Sequence, residues 1–296
     1  MYFCGVMKRK DFLKRALLGG AAAAISPTLA FSNVKSTSTY DKLMERVGFN
    51  HLLNKELKTM KTVLHKAATR GHANHGWLDS HHTFSFANYH NQERMNFGVL
   101  RVLNDDQVHK GMGFGTHPHD NMEIVSIPLE GDLEHKDSMG NTTVIKSGDV
   151  QVMSAGTGIQ HSEYNRSKDQ QVKFLQIWLF PKQRNVSPRY DQISIQDIKK
   201  KNELYQILSP NENDEGVWIH QDAWFHLGEF DNETASAYQV KKEGNGVYFF
   251  ILEGNVEIHG ESLNKRDGFG VWNTNSIAFK AQKDARFLAM EVPMNI

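Results

Sequence analysis

The 296-residue chain carries 34 Lys+Arg against 34 Asp+Glu, a formal net charge of zero with no basic stripe, which argues against nucleic acid held through counterion release. Its single cysteine, Cys4, sits in an N-terminal leader, so disulfides, thiolate nucleophiles and cysteine-held zinc or iron–sulfur clusters are excluded from the body of the protein. At this length the chain can bury one large core or two ordinary ones, and the length prior favours two domains.

The leader comes first. Lys8-Arg9-Lys10 and Lys14-Arg15 precede a short apolar stretch, Ala16 to Ile25, and then Thr28-Leu29-Ala30. Basic, apolar and small-residue regions in that order describe a cleavable export signal over residues 1–32. Arg9-Lys10-Asp11-Phe12-Leu13-Lys14 resembles the twin-arginine motif with lysine replacing the second arginine. The expectation is a periplasmic protein, cytoplasmic if the leader does not function. A stable membrane anchor is not expected, because the apolar stretch is too short. Leucines and methionines at three- and four-residue steps between Asp41 and Lys61 predict a helical arm, assigned to residues 33–62.

From Val63 onward the pattern is strands and turns. Gly111-Met112-Gly113-Phe114-Gly115-Thr116 leads into His117-Pro118-His119, and the apolar run Ile124 to Leu129 closes at Glu130-Gly131-Asp132, predicting a hairpin. Val150 to Met153 is a further strand, after which Gly156-Thr157-Gly158 turns the chain into His161-Ser162-Glu163. Phe174 to Phe180 is a nearly continuous apolar strand ended by Pro181, and Asn185 to Tyr190 reads as an interdomain crossing. Ile195 to Ile207 is polar enough to hold a short helix. Leu129-Glu130-Gly131-Asp132-Leu133-Glu134-His135 is then echoed by Leu252-Glu253-Gly254-Asn255-Val256-Glu257-Ile258, which suggests duplication of one β unit.

Residues two apart on a strand share a face, so His117 with His119, and His161 with Glu163, can each aim two side chains at one spot. Three imidazoles and a carboxylate at one spot make a divalent metal site. The H-x-H triplet carries little alone, since fifteen histidines in this length produce about one by chance; its weight comes from the surrounding turns. The repeat offers a check. His117 and His119 lie 14 and 12 residues before Gly131, and the same offsets from Gly254 fall on Val240 and Lys242. The second copy therefore lacks both histidines, and one metal per chain is expected.

These segments, together with Lys136 to Asn141, Met153 to Ile159, Arg70 to Trp77 and His82 to Phe86, closely resemble the pirin family of bicupins. The resemblance runs from about residue 65 to the C-terminus, dense in the first half and looser in the second. It implies an all-β fold of two cupin (jelly-roll β-barrel) domains packed in tandem: a metal-binding cupin over residues 63–184 and a cupin without metal over 185–296. It also implies that the metal ligands are His117, His119, His161 and Glu163. Glu123, which in many cupins would be a ligand, is placed outside the coordinating set, as a partner of a ligand or a satisfied core acid. The donors suit one divalent transition ion, iron(II) first, with manganese, nickel, copper or zinc also compatible; calcium and magnesium prefer oxygen alone.

Several other residues receive ordinary roles. His72, His75, His81 and His82 are expected to pack or hydrogen-bond, with His75 or Trp77 at the mouth of the site, and His81 and His82 on opposite faces of a strand. Phe174, Trp178 and Phe180 are expected to fill the barrel rather than touch substrate. Asp120 and Gln160 neighbour the ligands in sequence and are candidates to orient imidazole N–H groups.

For function the resemblance implies a cupin dioxygenase, opening the ring of a flavonol such as quercetin with O2, with Glu163 both ligand and general base. The rivals are a non-catalytic, redox-responsive metal-binding protein and a cupin enzyme with another substrate. A small aromatic substrate and O2 are the expected partners, with no nucleic acid, and the chain is expected to be a monomer.

Overall fold

The computed structural model describes residues 59–296. The expected leader and nearly all of the expected helical arm lie outside the described residues. The arm's last two residues, 61 and 62, belong instead to a strand, Lys61–His65. The described chain is all-β, two cupins each made of a seven-stranded and a four-stranded sheet.

The two seven-stranded sheets turn one face toward each other. In Glu123–Glu130 and Val172–Leu179, alternation sends Val125, Ile127, Leu175 and Ile177 to that shared face. There they join Phe225, Leu227, Phe250, Leu288 and Met290 of the second cupin in one apolar cluster, so the largest core of the molecule lies between the barrels. The opposite face of each large sheet looks into its own barrel. In the second cupin that interior is a continuous apolar cluster including Phe249, Phe287, Phe279 and Ile277. In the first it is split into two smaller clusters, one around Phe174, Leu133 and Val108 and the other around Ile124, Met153 and Ile159. The functional site lies in this divided barrel.

The expected division at residues 184 and 185 does not follow the sheets. Lys61–His65 pairs with Gly268–Trp272 of the second cupin, and Arg189–Ser194 pairs with Asp149–Ser154 of the first. Each barrel thus borrows a strand from beyond the boundary, and each loan covers an otherwise bare sheet edge. The turn at Gly131 is not a hairpin either. Glu123–Glu130 pairs with Val172–Leu179 and Asp149–Ser154, whereas Leu133–Asp137 pairs with Ile159–Asn165 and Thr142–Ile145. The chain crosses from one sheet to the other there, and it repeats the crossing at Gly254; both glycines have positive φ, 75° and 68°. Residues 195–203 hold turns rather than the expected helix, and the strand Leu204–Ser209 comes next.

Charge also joins the barrels. Asp105, facing the shared side of its strand, accepts from Arg70 Nη1 at 3.1 Å and from Arg266 Nε of the second cupin at 2.8 Å, with all three side chains largely buried. Removing the carboxylate would leave two guanidinium groups facing each other without a counter-charge. Asp105→Ala is expected to cost about 3 kcal/mol of stability, seen as a lowered denaturation midpoint; an unchanged midpoint would show that water replaces the pairing at no cost.

Candidate metal centre

The four-stranded sheet of the first cupin carries the site. Gly113–His119 runs antiparallel to Ile159–Asn165, with His161 opposite His117 and Ile159 opposite His119. Close approach at the start of this pair requires a glycine: a Cβ on Gly113 would meet the Glu163 carbonyl oxygen at 2.3 Å. The register then slips. Glu163 faces Phe114, so Gly115 and Thr116 form a bulge that turns Phe114 toward the barrel interior. The loops at the other end are tied together, Ala155 N–H to Met122 O at 2.8 Å and Asn121 N–H to Gly156 O at 2.9 Å. Gly156 has φ +48°, and a Cβ there would meet Val186 O at 2.0 Å, so the turn that delivers His161 tolerates no side chain.

The three imidazoles converge. Ring centroids are 4.4 Å apart for His117 and His161, 4.9 Å for His117 and His119, and 4.9 Å for His119 and His161. His117 Nδ1 lies 2.8 Å from the Gly115 carbonyl, which can only accept, so Nδ1 carries the proton and Nε2 keeps its lone pair. His119 Nε2 and both ring nitrogens of His161 are buried without a hydrogen-bond partner among the described residues. An orphaned buried nitrogen costs about 1–3 kcal/mol, which a bound ion would offset. Burial first, and then the neighbouring imidazoles, lower His119 to about 4 and His161 to about 3, so both are neutral at pH 7, the form that ligates. One donor atom from each of the three histidines lies within 4.8 Å of the others.

Glu163, 3 % exposed, comes from the same strand as His161 and is held from the facing sheet. Gln176 Nε2 donates to both carboxylate oxygens at 3.1 Å, and Ser126 Oγ lies 3.3 Å from Oε1. His117, His119 and Glu163 line a single cavity, and His161 lies within donor reach of His117 and His119 on one side and, with His135, of Glu163 on the other. The donor set, three imidazoles and a carboxylate, fits a divalent transition ion.

Glu123 lies on the other face of its strand, directed toward the second cupin. Its carboxylate accepts from Ser154 Oγ at 2.8 Å and from the His220 backbone N–H at 3.4 Å. Of the two roles expected for it, core acid is the one this position allows. Asp120 and Gln160 show no hydrogen bond to a ligand histidine among the described residues; Asp120 accepts from Asn121 and the Gln160 backbone donates to Ser138. His81 and His82 do face opposite ways. His81 stacks on His72 at 4.5 Å beside Asp79, and His82 is buried.

One expectation about the surroundings is corrected. Trp178 and Phe174 are not mere barrel filling: both line the cavity, which has a volume of 470 Å³, and Trp178 meets the His119 ring edge-on at 4.9 Å. His72 and His75 line its mouth, while Trp77 packs on Phe114. Sequence reasoning also misses His135. It is wholly buried, 5.3 Å from His161 by ring centroid, and donates from Nε2 to Asp137 at 3.1 Å. Burial would raise Asp137, but bonds from Asn141, His135 and the Met139 backbone hold it below the ordinary carboxylate value. His135 forms a second triad of donors with His161 and Glu163. The signal that could have found it is the same two-residue spacing, His135 to Asp137, on one strand. In the second cupin the corresponding small sheet turns Tyr238, Ile277 and Phe279 into an apolar core. Val240 and Lys242, the residues at the offsets of His117 and His119, lie just past its strand Thr234–Gln239.

The comparisons with known proteins agree with this architecture. Residues 63–179 match the Pirin family model and residues 206–292 the quercetinase C-terminal cupin domain. A protein of Escherichia coli K12 named quercetin 2,3-dioxygenase is 43% identical over 230 residues, covering 78% of this chain and 98% of that protein. A pirin-like protein of Caulobacter vibrioides is 35% identical, covering 75% of this chain and 95% of its own. Among solved structures, YhhW from Escherichia coli, also determined as a bacterial pirin in complex with nickel(II), superposes with a TM-score of 0.75 at 41% identity. That alignment covers 80% of this chain and 100% of YhhW.

Burial raises the Glu123 carboxyl to about 7, against the bonds it accepts and the nearby Arg189. A carboxyl raised in the fold binds its proton more tightly there, so its contribution is complete below about pH 4.5 and is lost as the pH rises through about 7. Glu123→Gln should remove that slope and raise the thermal midpoint at pH 8 by about 2 °C or more. Parallel midpoint-versus-pH curves for variant and wild type would contradict it.

Proposed function

The chain belongs to the pirin family, and on that premise we propose that it is a metal-dependent cupin dioxygenase that opens the heterocyclic ring of a flavonol with O2, releasing carbon monoxide. The observation that carries the reading is a cluster of three converging imidazoles beside an aromatic-walled cavity lined by two of them, His117 and His119, and by the braced Glu163. The relatives named quercetin 2,3-dioxygenase support it.

His117, His119, His161 and Glu163 would hold the ion, for which we propose iron(II); the nickel(II) complex of YhhW supports a first-row divalent ion. When bound, the ion supplies Lewis acidity toward the substrate oxygens and the one-electron chemistry that lets dioxygen react. The chain's own part is positioning and proton handling. Trp178 and Phe114 offer flat apolar faces between which a planar ring slides, and they keep water from the reacting atoms. Glu163 accepts the proton of the substrate's enol hydroxyl, with Gln176 and Ser126 fixing the carboxylate plane during the transfer. The Gly115 carbonyl keeps His117 in one tautomer throughout.

Purified protein should contain about one equivalent of transition metal by mass spectrometry and should bleach quercetin absorbance only when oxygen is present. His117→Ala and Glu163→Ala should abolish both the metal and the bleaching. One equivalent of metal with no bleaching would favour the metal-binding, non-catalytic reading, and metal-free protein would overturn both. A subtler variant separates support from ligation: Gln176→Leu leaves every ligand in place, and should weaken metal affinity about 10- to 100-fold in a competition titration with a chelator. Affinity equal to that of wild type would remove Gln176 from the account.

A further inference from the structure

The large sheet of the first cupin shows its barrel a row of polar side chains, of which the proposed reaction uses only Ser126 and Gln176. Ser126 is opposite Gln176, Gln176 is opposite Asn104, and Asn104 is opposite His82, so four inward positions on four neighbouring strands line up across the sheet. One step along the strands, Asp106 is opposite both Phe174 and Ser80. Every member of this polar row is at most 7 % exposed. The row is what divides the apolar interior of this barrel into two clusters.

Its far end forms a connected group. Ser80 Oγ donates to Asp106 Oδ1, and His82 Nε2 lies 2.9 Å from Ser80 Oγ. Ser80, His82, Asn104 and Asp106 all line the cavity that contains His117, His119 and Glu163. The group is also incompletely paired. Asn104 Oδ1 and His82 Nδ1 are buried without a partner, and Asp106 Oδ2 accepts no hydrogen bond among the described residues. Burial drives the Asp106 carboxyl up to about 7, so at neutral pH it can offer either a lone pair or a proton. The second cupin also buries polar side chains in its barrel, but pairs them: Tyr238 bonds His226 and Glu291, and Asn245 donates to Glu291. The open valences are the first barrel's own, and burying them is costly.

We propose that Asp106, seated by Ser80, with Asn104 beside it, is a second binding subsite, which hydrogen-bonds a phenolic hydroxyl on the part of the ligand remote from His117, His119, His161 and Glu163. This rests on the dioxygenase reading for the position of the chelating end. The spacing selects the ligand class. Asp106 stands on the strand next to that of Gln176, which touches Glu163, and two residues further along it, about 8 Å away at ordinary strand geometry. A single-ring phenol is too short to join both poles. A fused, planar, polyhydroxylated aromatic carrying chelating oxygens at one end and a phenol at the other reaches both, along the cavity wall that Phe114, Trp178 and Phe86 line.

Two probes isolate the subsite: quercetin, and 3-hydroxyflavone, which keeps the chelating hydroxy-ketone and lacks every other ring hydroxyl. Binding is read anaerobically by quenching of tryptophan fluorescence, and turnover separately in air. Wild type should bind quercetin about tenfold or more tightly than 3-hydroxyflavone. Asp106→Leu and Ser80→Ala should bring that ratio close to one by weakening quercetin alone, and Asp106→Asn should restore part of it. A structural role for Asp106 would move the denaturation midpoint and both ligands together, which Asp106→Leu should not do. If one variant fails to fold, the other carries the same comparison. A wild-type ratio near one, or a ratio that neither variant alters, overturns the subsite whether or not flavonols are turned over. A ratio that collapses in the variants without oxygen-dependent turnover supports the subsite and sinks the dioxygenase reading.

Discussion

Burying polar groups is the constraint on which this molecule is organised. A carboxylate or imidazole inside a barrel costs stability unless a partner meets it, and the two cupins respond in opposite ways. The second fills most of its interior with phenylalanine and isoleucine and pairs the polar groups it does bury, Glu291 with Tyr238 and Asn245 among them. The first keeps a cluster of histidines, a braced glutamate and a polar row, several of whose atoms have no partner among the described residues. Such a barrel must draw its stability from elsewhere. It does so from the apolar cluster between the two large sheets and from the strands that the two domains exchange. The second cupin is in this sense the foundation on which an unfilled barrel can stand.

The same economy explains how the ligands are aimed. Two strands bring two residues each, and the bulge at Gly115 and Thr116 adjusts their register so that Phe114 joins the wall. Among the described residues, the hydrogen bonds that hold His117 and Glu163 come from the backbone or from the facing sheet: the Gly115 carbonyl for His117, Gln176 and Ser126 for Glu163. Placement on strands rather than loops keeps the donors converged before any ion arrives.

Much of this was legible in the sequence. A period of two on a strand is enough to pair His117 with His119 and His161 with Glu163, and strand parity separated His81 from His82. The resemblance to pirins moved the carboxylate from Glu123 to Glu163, and the position of Glu123 on the interdomain face supplies a physical reason for excluding it. What was not legible depends on pairing between distant segments. The row Ser126, Gln176, Asn104 and His82 draws on strands separated by tens of residues, and no local pattern announces that they align. The exchange of Lys61–His65 and Arg189–Ser194 is hidden for the same reason. The turn at Gly131 misled because hairpins and sheet-to-sheet corners use the same glycine chemistry, and the choice between them is made by partners elsewhere in the chain. Trp178 looked like core because its strand is apolar throughout, yet it sits where that strand passes the cavity.

The central claim is that one ion sits among His117, His119, His161 and Glu163. The most direct test is an anomalous-difference map, at the absorption edge of the bound metal, from crystals of the metal-loaded protein. The account predicts a single strong peak within about 2.0–2.3 Å of one nitrogen from each of the three histidines and of a Glu163 oxygen. A peak instead at His72, Asp79 and His81, or one behind the site against His135, would contradict it.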